Sequence, residues 1–121
     1  MRFVIQGRLP SLNEYIRDCR TNKYKANTTK RDVENYIIFA IRKAKLKKVT
    51  IYPIALKIAW YEPNKKRDID NITFANKFIQ DALVKSGIIE NDNQKCIVSL
   101  EHTVKVDKLD PRIEVEIERV D

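Results

Sequence analysis

The sequence predicts one small α+β domain, residues 1–121, with helices laid on a mixed β-sheet in the order β-α-β-α-β-β. Three observations lead there. Four segments carry apolar residues with period two, and two carry them at helical spacing. The length of 121 residues, with no internal repeat and no linker, leaves room for a single core.

In chain order, Arg2 to Arg8 alternates around Phe3 and Ile5 and reads as an opening strand that stops at Leu9-Pro10-Ser11. Asn13 to Thr29 is polar and rich in Arg and Lys, and reads as a long basic loop. Thr29-Lys30-Arg31-Asp32 has the spacing of a capping box with Asp in place of Glu. Val33, Ile37, Ala40, Ile41 and Ala44 then recur on one helical face. Lys43 to Lys48 closes that helix with cations that suit its negative dipole end.

Thr50 to Glu62 alternates through Tyr52, Ile54, Leu56, Ile58 and Trp60, with Pro53 marking an edge or a bulge. A loop, Pro63 to Asn71, leads to a second helix from Ile72 to Ser86, with Ala75, Ile79, Ala82 and Leu83 on its stripe. Gly87 is placed to end it in the left-handed conformation. Cys96 to Val106 and Ile113 to Ile117 alternate again around the turn Leu109-Asp110-Pro111, and together predict a terminal hairpin. Trp60, Tyr61 and Tyr52 read as core or sheet surface, and His102 as a core or interface residue.

Composition excludes several chemistries. Gly7 and Gly87 are the only glycines, so neither a dinucleotide fingerprint nor an NTPase phosphate loop can be written. Cys19, Cys96 and His102 are too few soft ligands for a structural zinc site, and a single His leaves Ser or Cys triads without their usual base. Any metal must be held by oxygen. No apolar run approaches the roughly 18–20 residues of a membrane span, and the N-terminus turns polar too early for a signal peptide. The expectation is a cytoplasmic protein with reduced cysteines. Its 24 Lys and Arg against 17 Asp and Glu give a net charge of +7, which favours a polyanionic partner such as nucleic acid.

The most informative segment is Lys65-Lys66-Arg67-Asp68-Ile69-Asp70-Asn71. In extended backbone, residues two apart share a side, so Asp68 and Asp70 converge on one hard cation while the three preceding cations hold phosphate. The bland alternative is that Asp70 or Asn71 caps the helix and the cations are solvated. A calcium loop fails, because Ile72 and Thr73 stand where that motif wants an oxygen ligand and a glycine. Arg17, Arg20, Lys23, Lys25, Lys30 and Arg31 form the main basic group elsewhere, with Tyr15 and Tyr24 available to stack on unpaired bases.

Arg67-Asp68-Ile69-Asp70-Asn71, Lys77, Asp81-Ala82-Leu83, Gly87, Asp92 and Gln94 together resemble the RusA family of Holliday junction resolvases, chiefly its phage and prophage members. Leu9-Pro10-Ser11-Leu12-Asn13 is similar to the family's Pro-Ser-x-Asn segment ahead of a basic loop. The resemblance covers nearly the whole chain. It implies a homodimeric endonuclease that cuts two opposed strands of four-way DNA junctions by Mg²⁺- or Mn²⁺-assisted phosphodiester hydrolysis in recombination and repair. Carried over, the metal-binding and catalytic aspartates fall on Asp68, Asp70 and Asp92, with Lys77 assisting. Lys77 follows Asp70 by seven residues where the family's usual spacing is four, and the added helical turn leaves it on nearly the same face. A helix of roughly 20 Å and an extended return of about 17 Å bring Asp92 nearly back to the level of Asp70. The alternative function is a non-catalytic DNA- or RNA-binding module of a phage or prophage.

Overall fold

All 121 residues are described by the computed structural model. In chain order the elements are β1 (Arg2–Gln6), α1 (Leu12–Thr21), α2 (Lys23–Lys43), β2 (Ile54–Glu62), α3 (Ile69–Thr73), α4 (Asn76–Lys85), β3 (Ile97–Val106) and β4 (Arg112–Arg119). The α+β expectation holds; the first predicted helix falls on α2, the second is divided into α3 and α4, and α1 is an additional helix.

Period-two patterning places the strands. Phe3 and Ile5 of β1, Ile54, Leu56, Ile58 and Trp60 of β2, and Ile113, Val115 and Ile117 of β4 all turn to one sheet face and are buried there. Ile37 and Ile41 of α2, and Phe78, Ile79, Ala82 and Leu83 of α4, cover that face and complete a continuous core. Burying each large side chain contributes about 1.5–3 kcal/mol. The opposite face carries Lys57, Glu114, Glu116 and Glu118. Lys57 sits 3.3 Å from Glu118 there, as expected for a sheet with one wet side.

The sheet order is β1-β4-β2-β3. β4 runs antiparallel to both β1 and β2, whereas β3 runs parallel to β2. The expected hairpin is therefore absent: β3 and β4 follow one another in the chain but lie on opposite sides of β2. Their burial explains the separation. The apolar residues of β4 are fully covered and need a central place, while β3 is largely exposed and suits an edge. The connection crosses the end of β2, where the Asp107 N–H donates to the Glu62 carbonyl and Arg112 binds Asp107 and the Asp110 carbonyl. The Arg112 guanidinium also lies 3.9 Å from the centre of the Tyr61 ring.

The stretch Asn13–Thr29, expected as a loop, is helical. Ser11 caps α1 through the Glu14 N–H while the Glu14 carboxylate returns to the Ser11 N–H, a complete capping box. Asn22 then ends α1 and starts α2, its side chain accepting from the Lys25 N–H. The first long helix thus begins six residues before Thr29, whose hydroxyl donates to Asp18 across the α1–α2 angle and does not cap. Its polarity misleads because α1 buries no residue fully. β2 starts at Ile54 and not at Thr50, since Pro53 has no N–H for the ladder, and the register with β3 shifts at Ile54/Ala55. Gly87 takes φ +78° after α4 as expected.

Candidate active site and nucleic-acid interface

The segment Lys65–Asn71 leaves the end of β2 and enters α3. Asp68 is the N-cap residue in extended conformation, yet its side chain makes no capping bond. Asp70 lies inside the first turn of α3, so the two carboxylates do not share an extended strand as expected; helix begins at Ile69, not Ile72. Ion pairs in this region run elsewhere, from Arg67 to Glu14 and from Lys77 to Asp81 and Asp92. Asp68 and Asp70 therefore present exposed carboxylates without a cationic partner.

Three side chains brace this segment. The Arg67 guanidinium donates to the Leu9 carbonyl and to Glu14, so Arg67 ties the β1–α1 connection to the entry of α3. Asn71 Oδ1 accepts from the Asn13 N–H at 2.9 Å, joining the first turn of α1 to α3. At the end of β2, Arg8 donates to the buried Glu62 carboxylate at 2.6 Å. Sequence spacing assigns neither Asn71 nor Glu62 a bond to a distant segment. Only their places beside Asp70 and after Trp60 hint at a role.

α3 and α4 are separated by a tight turn in which Ala75, Lys77 and Phe78 donate to carbonyls three residues back. The break replaces the continuous helix expected from Ile72. Tyr15 packs against Phe74 and Phe78, with ring centres 5.5 Å from each, so it anchors α1 on this turn and is not free to stack on bases. Tyr24 remains exposed on α2.

Lys77 stands in the first turn of α4. Its ammonium lies 3.0 Å from Asp81 Oδ1, one helical turn on, and 3.6 Å from Asp92 Oδ2 in the loop before β3. The hydrogen bond to Asp81 raises the Lys77 pKa, and the charges of Asp81 and Asp92 act in the same direction. Lys30 of α2 approaches the other Asp81 oxygen at 4.0 Å. The structure thus brings Lys77 and Asp92 together. It does not gather Asp68, Asp70 and Asp92: no three Asp, Glu, His or Cys side chains of the chain group as metal ligands. Asp68 and Asp70 still fit a divalent ion chemically. They are hard oxygen donors free of cations, and Mg²⁺ commonly takes one or two carboxylates with phosphate and water completing its shell.

The basic residues spread over adjoining surfaces. Arg17 and Arg20 lie on α1, Lys23, Lys25, Lys30 and Arg31 on α2, and Lys65 and Lys66 on the loop before α3. All are exposed, and Arg17 and Arg20 line an open depression with Asn13 and Thr21. Because Asn13 is bonded to Asn71, that depression adjoins the carboxylate segment.

The family model for endodeoxyribonuclease RusA matches residues 10–118. The chain belongs to the RusA endodeoxyribonuclease family. The match runs from before α1 to the penultimate residue of β4 and takes in Asp68, Asp70, Lys77, Asp92 and the basic residues of α1, α2 and the loop before α3. Membership in RusA makes this a nuclease fold and gives the resemblance of Arg67–Asn71 its context. No curated protein matches the chain. No helix is long and apolar enough to cross a membrane.

Proposed function

We propose that the chain is a Mg²⁺- or Mn²⁺-dependent structure-specific endonuclease that resolves four-way DNA junctions by paired phosphodiester hydrolysis, in recombination and repair, as a homodimer. The observation that carries the reading is the pair of free carboxylates at Asp68 and Asp70, beside a basic face, in a chain matched to RusA over residues 10–118.

In this reading Asp68, Asp70 and Asp92 hold the divalent ion. When bound, that ion offsets charge on the scissile phosphate and eases deprotonation of water. Lys77, kept protonated by Asp81 and Asp92, meets the negative charge that grows on the phosphate or the leaving oxygen. Arg17, Arg20, Lys23, Lys25, Lys30, Arg31, Lys65 and Lys66 hold the DNA backbone. Arg67 joins them at its exposed edge while bracing α1. Two sites related by a two-fold axis suit two incisions on a nearly symmetric junction.

Incubating the protein with a synthetic four-way junction or linear duplex, in Mg²⁺, Mn²⁺ or EDTA, tests the reading. Symmetric, metal-dependent cutting of the junction is expected. Junction binding without metal-dependent cutting overturns it in favour of a non-catalytic DNA- or RNA-binding module. One observation favours that second reading: Asp92 is paired with Lys77, away from any three-carboxylate group.

A further inference from the structure

The two edges of the sheet are unequal. β1 is five residues long, and the Tyr36 hydroxyl donates to its Gln6 carbonyl at 2.6 Å. β3 is ten residues long, or about 33 Å, and no strand pairs with its outer side. A long unprotected edge is a template for another strand.

The main-chain direction of β3 follows from one bond. Asp107 donates to Glu62 of β2, so Thr103, Lys105 and the other odd-numbered residues after Val98 turn their N–H and C=O groups toward β2. By alternation, Leu100, His102, Val104 and Val106 turn theirs outward. Their side chains share the helix-covered face with Leu56, Ile58, Trp60 and Glu62, their β2 partners. At this edge, however, the cover runs out: Leu100 is 45% exposed and Val106 46%.

We propose that β3 is a dimerisation edge, on which two copies of this chain pair antiparallel about a two-fold axis at Thr103 and join their sheets into one continuous sheet. This register sets Leu100 against the partner's Val106 and His102 against the partner's Val104, in the hydrogen-bonded positions. Glu101 faces the partner's Lys105 twice, in the close non-hydrogen-bonded positions. The adjacent registers lose this match. An axis at His102 sets Glu101 against Thr103, and an axis at Val104 sets Glu101 against Asp107, two like charges. The self-complementary order of Glu101, Thr103 and Lys105 argues for a second copy of the chain as the occupant.

An axis perpendicular to the sheet leaves both helix layers on one face, so the two α3–α4 segments open to the same side. Its relevance to paired DNA cutting rests on the function proposed above. The pairing itself stands on the edge alone.

Sedimentation velocity of the full chain tests the edge, and a dimer is expected. Val104→Pro removes an outward N–H and leaves the β2 ladder intact. It should weaken the dimer at least about tenfold, since several inter-chain bonds depend on that stretch. Glu101→Lys and Lys105→Glu should each weaken it, and the double reversal should restore it. In a Cys19→Ser background, Thr103→Cys should oxidise to a covalent dimer across the axis. If Val104→Pro proves unfolded, the charge-reversal set decides. A dimer that survives both single reversals, and whose Thr103→Cys variant forms no disulfide-linked species, overturns the edge while leaving a dimeric nuclease standing. A wild-type monomer at all concentrations overturns both. A dimer that pairs through β3 yet cuts no junction overturns the nuclease reading alone.

Discussion

Lys77 reaches Asp92 across 3.6 Å, joining the first turn of α4 to the loop before β3. Two residues that the RusA resemblance assigns to one site thus meet in space although fifteen positions separate them. Asp70→Asn and Asp92→Asn should each abolish junction cleavage while retaining junction binding and circular dichroism. Normal cutting by either variant removes that residue from the mechanism.

The partners of Lys77 give a pH prediction. Asp81 and Asp92 raise its pKa above the ordinary 10.5, so the ammonium persists further into alkali than a free lysine. Asp81→Asn removes the largest cause and should move the alkaline limb of the cleavage profile to lower pH. Lys77→Met should reduce the rate by roughly 10²–10³, the loss expected when one transition-state charge partner goes. Single-turnover rates across the alkaline range measure both, and an unmoved limb in Asp81→Asn would show that Lys77 ionisation does not govern it.

Arg8 and Glu62 form a pair of unequal exposure: the Glu62 carboxylate is 5% exposed and the Arg8 side chain 30%. Removing only the cation strands a buried charge, so Arg8→Ala should cost about 3 kcal/mol in urea unfolding. Arg8→Met with Glu62→Gln removes both charges and should cost clearly less. Equal losses would show that the effect comes from packing and not from the stranded carboxylate.

His102 sits on β3 with its Nδ1 accepting from Trp60 Nε1 at 3.0 Å. Burial lowers its pKa below the ordinary 6.5. As pH falls through 6.5 the unfolded chain therefore takes up the proton first. The contribution of neutral His102 is full above that value and is lost progressively toward the lowered folded pKa. Urea midpoints between about pH 7 and 5 should fall with acid in the wild type and change less in His102→Gln, which keeps an acceptor for Trp60. Parallel curves for the two would exclude His102 as the titrating group.

For the basic face, Arg17→Ala with Arg20→Ala should weaken junction binding and flatten the slope of log K against log salt by about 0.9 for each phosphate no longer neutralised. Fluorescence anisotropy over a salt series reads this. An unchanged slope would mean that α1 does not touch the backbone.

Strands and core were legible because burial of one sheet face imprints period two, as in Ile54 to Trp60 and Ile113 to Ile117. Pairing was not, since the sequence does not record that the chain crosses the end of β2 after β3 and places β4 between β2 and β1. α1 was hidden by its polarity, although Ser11 and Glu14 carry the capping-box spacing that marks its start. At the site, the carboxylates, Lys77 and the basic stretch could be named from their order in the chain. Lys77 and Asp81 are also readable as neighbours one turn apart. The contact of Lys77 with Asp92, the bond of Asn71 to Asn13 and the turn that splits α3 from α4 depend on tertiary packing, which local spacing does not encode.

The last strand in the chain fills the middle of the sheet. During synthesis β1 and β2 have no ladder partner between them until residues 112–119 leave the ribosome, so the sheet closes late and by non-local contacts, a topology that slows folding. Shortening the chain from its C-terminal end would remove the keystone of the sheet and leave β1 detached from the remainder.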